Sequence, residues 1–208
     1  MDKKYKCNHI STKEKILKVA EHIFATKGYK SATIRDISKK AKTNIALINY
    51  YFKSKSDLYK KLILKKNKVI SKFLDGILND ETLNSEQRFD KFIDFYANFI
   101  FDNPELAHIL LREMSTDTEH AKWFINYCVK KNFQKIKKII HDSYKDKHIK
   151  EDIRISVLLP TIIGSLAVNV ILLPLINIIF EGDDYRVIEK KERIEEIKSV
   201  IFNGIKKT

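Results

Sequence analysis

The sequence predicts an all-α protein in which a three-helix head is joined to a larger helical domain. The 208 residues include only 5 glycines and 3 prolines, so few positions suit the turns that β-hairpins need. Hydrophobic residues make up 44% of the chain, and within its long segments they recur at helical spacing between charged residues. These two observations favour amphipathic helices with enough apolar surface for a core.

The first quarter of the chain contains several helix starts. Ser11, Thr33 and Ser54 are each followed three residues later by an acidic residue, which is the capping-box pattern. Gly28 is placed to end the first helix, because glycine adopts the left-handed backbone conformation common at such ends. Asn44 is a good N-cap for a further short helix that ends near residue 51. The sequence therefore predicts a compact head over residues 1–56.

The remainder, residues 57–208, is predicted to be a second helical domain. Asn84 and Asn103 cap two helices, and a further helix is expected from about Thr118 to His141. Residues 155–180 contain no Asp, Glu, Lys or Arg, and this segment is expected to break near Pro174. The last helix carries isoleucines at helical spacing, at Ile194, Ile197, Ile201 and Ile205.

The charge is concentrated at one end of the chain. Residues 1–70 carry 19 lysines and arginines against 5 acidic residues, a net charge of +14, whereas the whole chain has +13. A positive field confined to one region is typical of a module that binds a polyanion. A solvated, lysine-rich surface without such a role is the alternative.

Residues 33–52, TIRDISKKAKTNIALINYYF, have the form of a helix-turn-helix motif. In this motif the first helix braces the backbone and the second enters the major groove of DNA. The two helices must be locked by buried side chains and approach closely at a small residue, for which Ala46 is suited. The residues expected to form the lock are Ile34, Ile37, Ala41 and Ile48.

This region resembles the DNA-binding head of the TetR family of bacterial repressors. The resemblance covers residues 12 to about 60 and is carried by Gly28, Thr33, Ile37, Ser38, Ala41, Phe52, Lys55 and Leu58. It implies a DNA-binding transcriptional regulator, acting as a repressor on a near-palindromic operator in double-stranded DNA. It also implies a small apolar effector that releases the operator.

The resemblance assigns DNA contacts to the motif and its flanks. Thr33 and Lys55 lie where the family contacts phosphates, and Tyr51 stands at the family's histidine position. Asn49 replaces a usual tyrosine and is able to read adenine, while Lys42 replaces a usual glycine in the turn. The complete set of predicted DNA contacts is Thr33, Lys42, Thr43, Asn44, Ile45, Leu47, Asn49, Tyr50, Tyr51 and Lys55.

Several of these residues have a purely structural alternative. Thr33 also fits a simple helix cap, Lys55 a solvated lysine and Tyr51 a packing tyrosine. Ile45 and Leu47 either meet thymine methyl groups or belong to the core.

The second domain is expected to bind the effector and to form a homodimer. An aromatic cluster is the predicted effector site, with ordinary aromatic core as the alternative; its members are Phe95, Tyr96, Phe99, Trp123, Phe124 and Tyr127. The homodimer is expected through about residues 152–206, where the uncharged helix and the isoleucine face of the last helix would pair with their symmetry mates.

Other functional classes have less support in the sequence. The glycines are isolated, the histidines lack metal-binding spacing, and Cys7 and Cys128 do not form a CxxC pair. We therefore expect no enzyme activity, no cofactor and no metal site, and the N-terminus lacks the apolar segment of a signal peptide, which favours a cytoplasmic location. Two alternatives stay open: a membrane-tethered DNA-binding protein with a span at 155–180, and a helical ligand-binding protein or enzyme with an incidental basic head.

Overall fold

A computed structural model describes residues 11–114, 118–150, 152–179 and 189–205, so Cys7 and Phe180 lie outside the described residues. The fold is all-α, as predicted. The helices are α1 (Thr12–Ser31), α2 (Ile34–Ala41), α3 (Ile45–Tyr51), α4 (Lys55–Asn79), α5 (Ser85–Asp102), α6 (Pro104–Met114), α7 (Glu119–Phe124), α8 (Lys130–Lys145), α9 (Ile155–Ile171), α10 (Leu173–Ile179) and α11 (Lys190–Ile205).

The chain divides into two compact units between Lys66 and Asn67, within α4. We call the described residues 11–66 the head, and the described part of residues 67–208 the second unit. The head includes the first three turns of α4 because Leu58, Tyr59 and Leu62 are fully buried in its core. The ring of Tyr59 packs edge-on against Phe24 of α1, with centroids 5.1 Å apart. The domain boundary that the sequence predicts after residue 56 stays a prediction.

A capping residue sets the start of α1, and a glycine sets its kink. The N–H of Glu14 donates to Ser11 Oγ at 3.2 Å, which caps the start of α1. Gly28 has φ 77° and kinks α1, but the helix continues to Ser31, three residues beyond the predicted end. This positive φ explains the glycine, since residues with a Cβ rarely adopt it.

The core of the second unit is built around α5. Its buried face presents Phe89, Phe92, Ile93 and Ile100 to apolar side chains from the neighbouring helices. The opposing residues include Leu74 of α4, Ile136, Ile139 and Ile140 of α8, and Leu158, Ile162 and Leu166 of α9. The helical spacing of apolar residues in each of these segments is what allows one face to be buried.

Two segments can be compared with their predicted helices: 118–141 and the uncharged segment. The single helix expected over 118–141 is instead α7 and α8 joined by a π-helical turn at Ile125–Val129, a local irregularity that apolar spacing alone does not reveal. The uncharged segment breaks at Leu172, close to Pro174, as expected. Among the residues that the structure describes, which include most of the segment 155–180, no helix has both the length and the apolarity to cross a membrane.

The buried isoleucine face of α11 corrects the predicted dimer interface. Ile194, Ile197, Ile201 and Ile205 are buried within their own chain, in the core shared with α5 and α9. They are therefore not available to pair with a symmetry mate, because the intrachain core already covers them. The exposed side of α11 instead carries Val200, which is 75% exposed.

Candidate DNA-binding site

The start of α2 is fixed by a complete capping box. The N–H of Asp36 donates to Thr33 Oγ1 at 3.1 Å, and the N–H of Thr33 donates to Asp36 Oδ2 at 3.0 Å. Lys27 forms an ion pair with the same carboxylate at 2.9 Å. The hydrogen bonds from Lys27 and Thr33 lower the pKa of Asp36 to about 2. The Thr33 hydroxyl also donates to Asp36, at 2.8 Å, so its cap role is formed while its phosphate contact stays a prediction.

The turn between α2 and α3 is closed by two hydrogen bonds between the same two residues. The N–H of Thr43 donates to the Ser38 carbonyl at 3.1 Å, and Ser38 Oγ donates to the Thr43 carbonyl at 2.7 Å. Between them, Lys42 adopts the left-handed conformation, with φ 50° and ψ 53°. Lysine therefore takes the geometry that glycine would adopt more easily, and the Ser38–Thr43 bonds hold it there.

Helix α3 has one buried and one open side. Asn44 caps it by accepting from the N–H of Leu47 at 2.7 Å, and Ile48 is fully buried. The open side carries Asn49 and Tyr50, of which Tyr50 is 80% exposed. A short helix anchored along one side leaves its other side free to contact a groove.

The remaining predicted contacts on α3 and the turn are less exposed than Tyr50. Ile45 is 39% exposed and therefore is not core, whereas Leu47, Thr43 and Tyr51 are half-buried at the edges of the exposed face. The ring of Tyr51 packs against Tyr50 edge-on, with centroids 5.2 Å apart.

Two of the expected packing residues are placed differently. Ala46 is exposed and joins the open side of α3, and Ile34 is only half-buried. Ile37, Ala41 and Ile48 form the lock, as predicted. Sequence spacing missed Ala46 as a surface residue because the rotation of α3 about its axis is set by which side chains meet α1 and α2.

Lys55 is engaged inside the head. Its ammonium donates to the carbonyl oxygens of Tyr29 and Ala32, each at 2.9 Å, and lies 4.5 Å from the centroid of the Tyr29 ring. These carbonyls belong to the end of α1, where a cation is favourable. A phosphate contact by the Lys55 ammonium would have to replace these bonds, so the structure favours a bracing role for its side chain.

The acidic residues of the head are all paired with lysines outside the helix-turn-helix surface. Its four carboxylates are Glu14, Glu21, Asp36 and Asp57, which pair with Lys65, Lys66, Lys27 and Lys61 at 2.6–2.9 Å. Lys39, Lys40, Lys42 and Lys53 are exposed on or beside the motif. The positive field therefore remains at the face that presents α3.

Comparison with known proteins agrees with this geometry. Residues 16–62 match the model of the bacterial regulatory proteins of the tetR family. The chain is 30% identical over 144 residues to the biofilm operon icaADBC negative transcriptional regulator IcaR of Staphylococcus epidermidis, which covers 67% of this chain and 73% of that relative. The chain belongs to the TetR family. It is a helix-turn-helix transcriptional regulator.

Solved structures of transcriptional regulators share the fold over nearly the whole chain. The ketosteroid transcriptional regulator KstR2 of Mycobacterium tuberculosis superposes with a TM-score of 0.74 at 17% identity, covering 95% of this chain and 96% of that one. The regulator FadR of Bacillus subtilis, in complex with stearoyl-CoA, superposes with a TM-score of 0.65 at 17% identity, covering 91% and 97%. At this level of identity the likeness establishes the fold.

In this TetR-family chain the predicted effector residues separate into differently exposed groups. Tyr96, Phe99 and Phe124 are buried, and burial raises the pKa of Tyr96 to about 12. The ring of Phe95 stacks on Phe99, with centroids 5.6 Å apart. In contrast, Tyr127 is 58% exposed.

Tyr127 and its neighbour Trp123 form a second, more exposed pair. The Tyr127 ring stacks on the half-buried Trp123, with centroids 5.9 Å apart. With more than half its surface exposed, Tyr127 is only partly covered within the described part of a single chain, and its contact with an effector stays a prediction. Among the described residues, no group of three His, Cys, Asp or Glu side chains is arranged to hold a metal ion.

The cap at α2 predicts a pH-dependent stability. The pKa of Asp36 is about 2 in the folded protein, against an ordinary value of 3.8, so its contribution is fully present above pH 3.8 and is lost as pH falls through 2. Asp36→Ala should therefore lower the melting temperature at pH 6, and the difference from wild type should shrink at pH 2.5. Calorimetry at both pH values tests this, with Asp146→Ala, at an exposed carboxylate, as control. An equal difference at both pH values would show that the ionised cap is not responsible.

Proposed function

We propose that the protein is a cytoplasmic, homodimeric repressor that reads a near-palindromic operator with the open side of α3. The observation that carries this proposal is the combination of a rigidly closed turn, a fully buried Ile48 and exposed Asn49 and Tyr50 on the opposite side of the helix. Family membership supports the DNA-binding role, and the exposed lysines on and beside the motif support attraction to phosphates.

Each exposed group on α3 has a matching feature in the major groove. The amide of Asn49 is able to form two hydrogen bonds to adenine, and the methyl groups of Ile45 suit thymine methyls. Tyr50 and Tyr51 offer hydroxyls, which we assign to phosphate contacts at the edges of the groove. Asn44 keeps its side-chain N–H₂ group for DNA while its oxygen caps α3.

Substituting Asn49 separates base reading from general attraction. Asn49→Ala should relax the preference at one base pair of each half-site, at a cost of about 1–3 kcal/mol for the preferred sequence, because the bidentate contact is lost. Fluorescence anisotropy with the chain's own upstream DNA and its single-base variants measures this. Equal weakening on operator and random DNA would contradict the base-reading role.

Lys42→Gly is the matched control for that experiment. Glycine accepts the left-handed conformation at this position, so the turn is kept while one ammonium is removed. This variant should weaken binding to all sequences alike and reduce the slope of affinity against salt concentration by about one phosphate contact.

We propose that the homodimer forms through residues within about 152–206. The face involved is not the isoleucine face of α11 that the sequence suggested. Exposed apolar side chains lie on α9 at Val157 and Val168, on α10 at Leu175 and Ile178, and on α11 at Val200. On α9, Val157 and Val168 are eleven residues apart, which places them on the same side of the helix. Apolar side chains exposed on neighbouring segments are typical of a surface that another subunit covers.

The proposed interface predicts which substitutions by aspartate disrupt the dimer. Val168→Asp combined with Val200→Asp should give monomers with lower operator affinity, because each half-site contact alone is weak and burying an unpaired carboxylate is costly. Sedimentation velocity measures the oligomeric state. Val69→Asp, at a similarly exposed valine of α4, is the control and should remain dimeric. A double variant that stays dimeric would exclude this face.

We further propose that a small apolar ligand binds among the buried aromatic residues of the second unit and releases the operator. The burial of Tyr96, Phe99 and Phe124 supports an apolar site, as do the ring pairs Phe95–Phe99 and Trp123–Tyr127. The FadR relative of the same fold is seen with stearoyl-CoA, which makes long-chain acyl compounds the first class to test.

The ligand proposal is tested through its coupling to DNA. By linkage, a ligand that weakens operator binding must itself bind more weakly when operator is present, by the same factor. Thermal shift with stearoyl-CoA, with and without operator, measures this. Phe99→Asp should keep operator binding and lose the response, whereas Val69→Asp, at an exposed position outside the predicted group, should keep both. Equal stabilisation with and without DNA would show that ligand and operator are not coupled.

A further inference from the structure

Helix α8 in the second unit is strongly basic. It carries six lysines and one acidic residue, Asp142. By comparison, α5 carries two basic and four acidic residues, and α11 carries four basic and three acidic residues. The charge of the second unit as a whole conceals this local excess, because its acidic residues lie mostly on other helices.

Five of the α8 lysines lie on one side of the helix. Asn132, Ile136, Ile139 and Ile140 are buried against the rest of the second unit, whereas the opposite side of α8 is exposed. The exposed lysines recur at helical spacing along about 22 Å of the helix axis. We call these residues the lysine face: Lys130, Lys131, Lys137, Lys138 and Lys145.

The lysine face is not neutralised by carboxylates. Within the described part of the chain, none of its five ammonium groups takes part in an ion pair or a side-chain hydrogen bond. The carboxylate at the border with α4 is taken by Lys135, whose ammonium binds Asp75 at 2.6 Å and Ser71 Oγ at 2.8 Å. Asp142, seven residues after Lys135, is half-buried on the same border.

Helix α4 extends the positive surface. Asp75 contacts Lys135, so the side of α4 that carries Asp75 borders α8. Lys68 and Lys72 lie on that side, seven and three residues before Asp75, and both are exposed. The two helices therefore present the lysine face together with two further lysines.

The composition and shape of this surface favour a flat anionic layer over a nucleic acid. Its cations are all lysines, which act as hydrated point charges, whereas sites that hydrogen-bond individual phosphates favour the planar fork of arginine. A straight helix is convex, so a flat layer of headgroups meets the lysine face along its whole length. A duplex turns its phosphates away from a straight rod, so fewer of the five charges would be paired at once.

An exposed aromatic ring lies at one end of the lysine face. Tyr127 precedes Lys130 by three residues and Lys131 by four, and it is 58% exposed. One side of its ring stacks on Trp123, which leaves the other side open. A tyrosine beside lysines suits the boundary between lipid headgroups and acyl chains, because its ring enters the apolar layer while its hydroxyl stays hydrated.

We propose that the lysine face binds the surface of a membrane that contains anionic phospholipids. The lysines would lie among the lipid phosphates and Tyr127 at the level of the headgroups, with no helix crossing the bilayer. Clusters of about four to eight basic residues on a helix are typical of such electrostatic binding. This proposal depends neither on the operator contacts of α3 nor on an effector ligand.

The test uses the full chain without DNA and two kinds of vesicle, one of phosphatidylcholine and one of phosphatidylcholine and phosphatidylglycerol at about two to one. We expect cosedimentation with the anionic vesicles but not with the neutral ones, and release at high salt, because salt screens the attraction. Replacing every lysine of the lysine face by glutamine should weaken binding to the anionic vesicles by about a hundredfold, since each lysine near the surface adds to the attraction.

A head variant with the same loss of charge is the matched control. It replaces five exposed lysines by glutamine, at Lys30, Lys39, Lys40, Lys42 and Lys53. This variant should lose operator binding and keep vesicle binding within about threefold, whereas the lysine-face variant should keep operator binding and lose vesicle binding. Circular dichroism, expected unchanged, shows that both variants are folded.

The single tryptophan of the chain reports which surface meets the lipid. Trp123 stacks on Tyr127 at the end of the lysine face. Anionic vesicles that contain brominated phosphatidylcholine should therefore quench its fluorescence, and the quenching should be absent in the lysine-face variant. An acyl chain that entered the second unit instead would quench the wild type and the variant alike.

Each of these results would overturn the proposal: no binding to the anionic vesicles, unchanged binding by the lysine-face variant, equal loss in both variants, binding without quenching of Trp123, or quenching that persists in the lysine-face variant. Tighter binding of the head variant to random duplex DNA than to the anionic vesicles would assign the surface to nucleic acid and would overturn it too. Failure of the DNA-binding proposal is scored separately, on operator DNA.

Discussion

The helix-turn-helix depends on the pair of hydrogen bonds that closes the turn between Ser38 and Thr43. Two bonds between the same residues hold Lys42 in a left-handed conformation that a lysine rarely adopts on its own. Because Ser38 is itself buried within α2, its hydroxyl needs a partner, and the Thr43 carbonyl is that partner. The direction in which α3 leaves the turn follows from this closure, and the side chains that α3 presents follow from that direction.

The rest of the head supports this turn from behind. The capping box at Thr33 fixes where α2 begins, and Lys55 holds the end of α1 through bonds to the Tyr29 and Ala32 carbonyls. Each acidic residue of the head is paired with a lysine away from α3, so acidic groups do not cancel the positive field where phosphates would approach. A single arrangement therefore provides both the fixed position of α3 and the positive charge around it.

The second unit shows how apolar surface is divided between a core and an uncovered face. The isoleucines of α11 and the buried side of α9 form the intrachain core, whereas Val157, Val168 and Val200 stay exposed on the same helices. On these helices one side is covered within the chain and the other is exposed, which an apolar stripe read in isolation does not distinguish.

The sequence by itself determined the helix starts, the helix-turn-helix motif and the basic head. These are local properties: a cap needs residues three positions apart, and a charge excess is a matter of composition. The tertiary structure decided which side of each helix is covered, and there the predictions for Ala46, Ile34 and the α11 isoleucines needed revision. The reason is physical, because periodicity gives a helix its apolar face but not the neighbour that covers it, and a long side chain such as Lys55 finds carbonyls some 25 residues away that no local pattern contains.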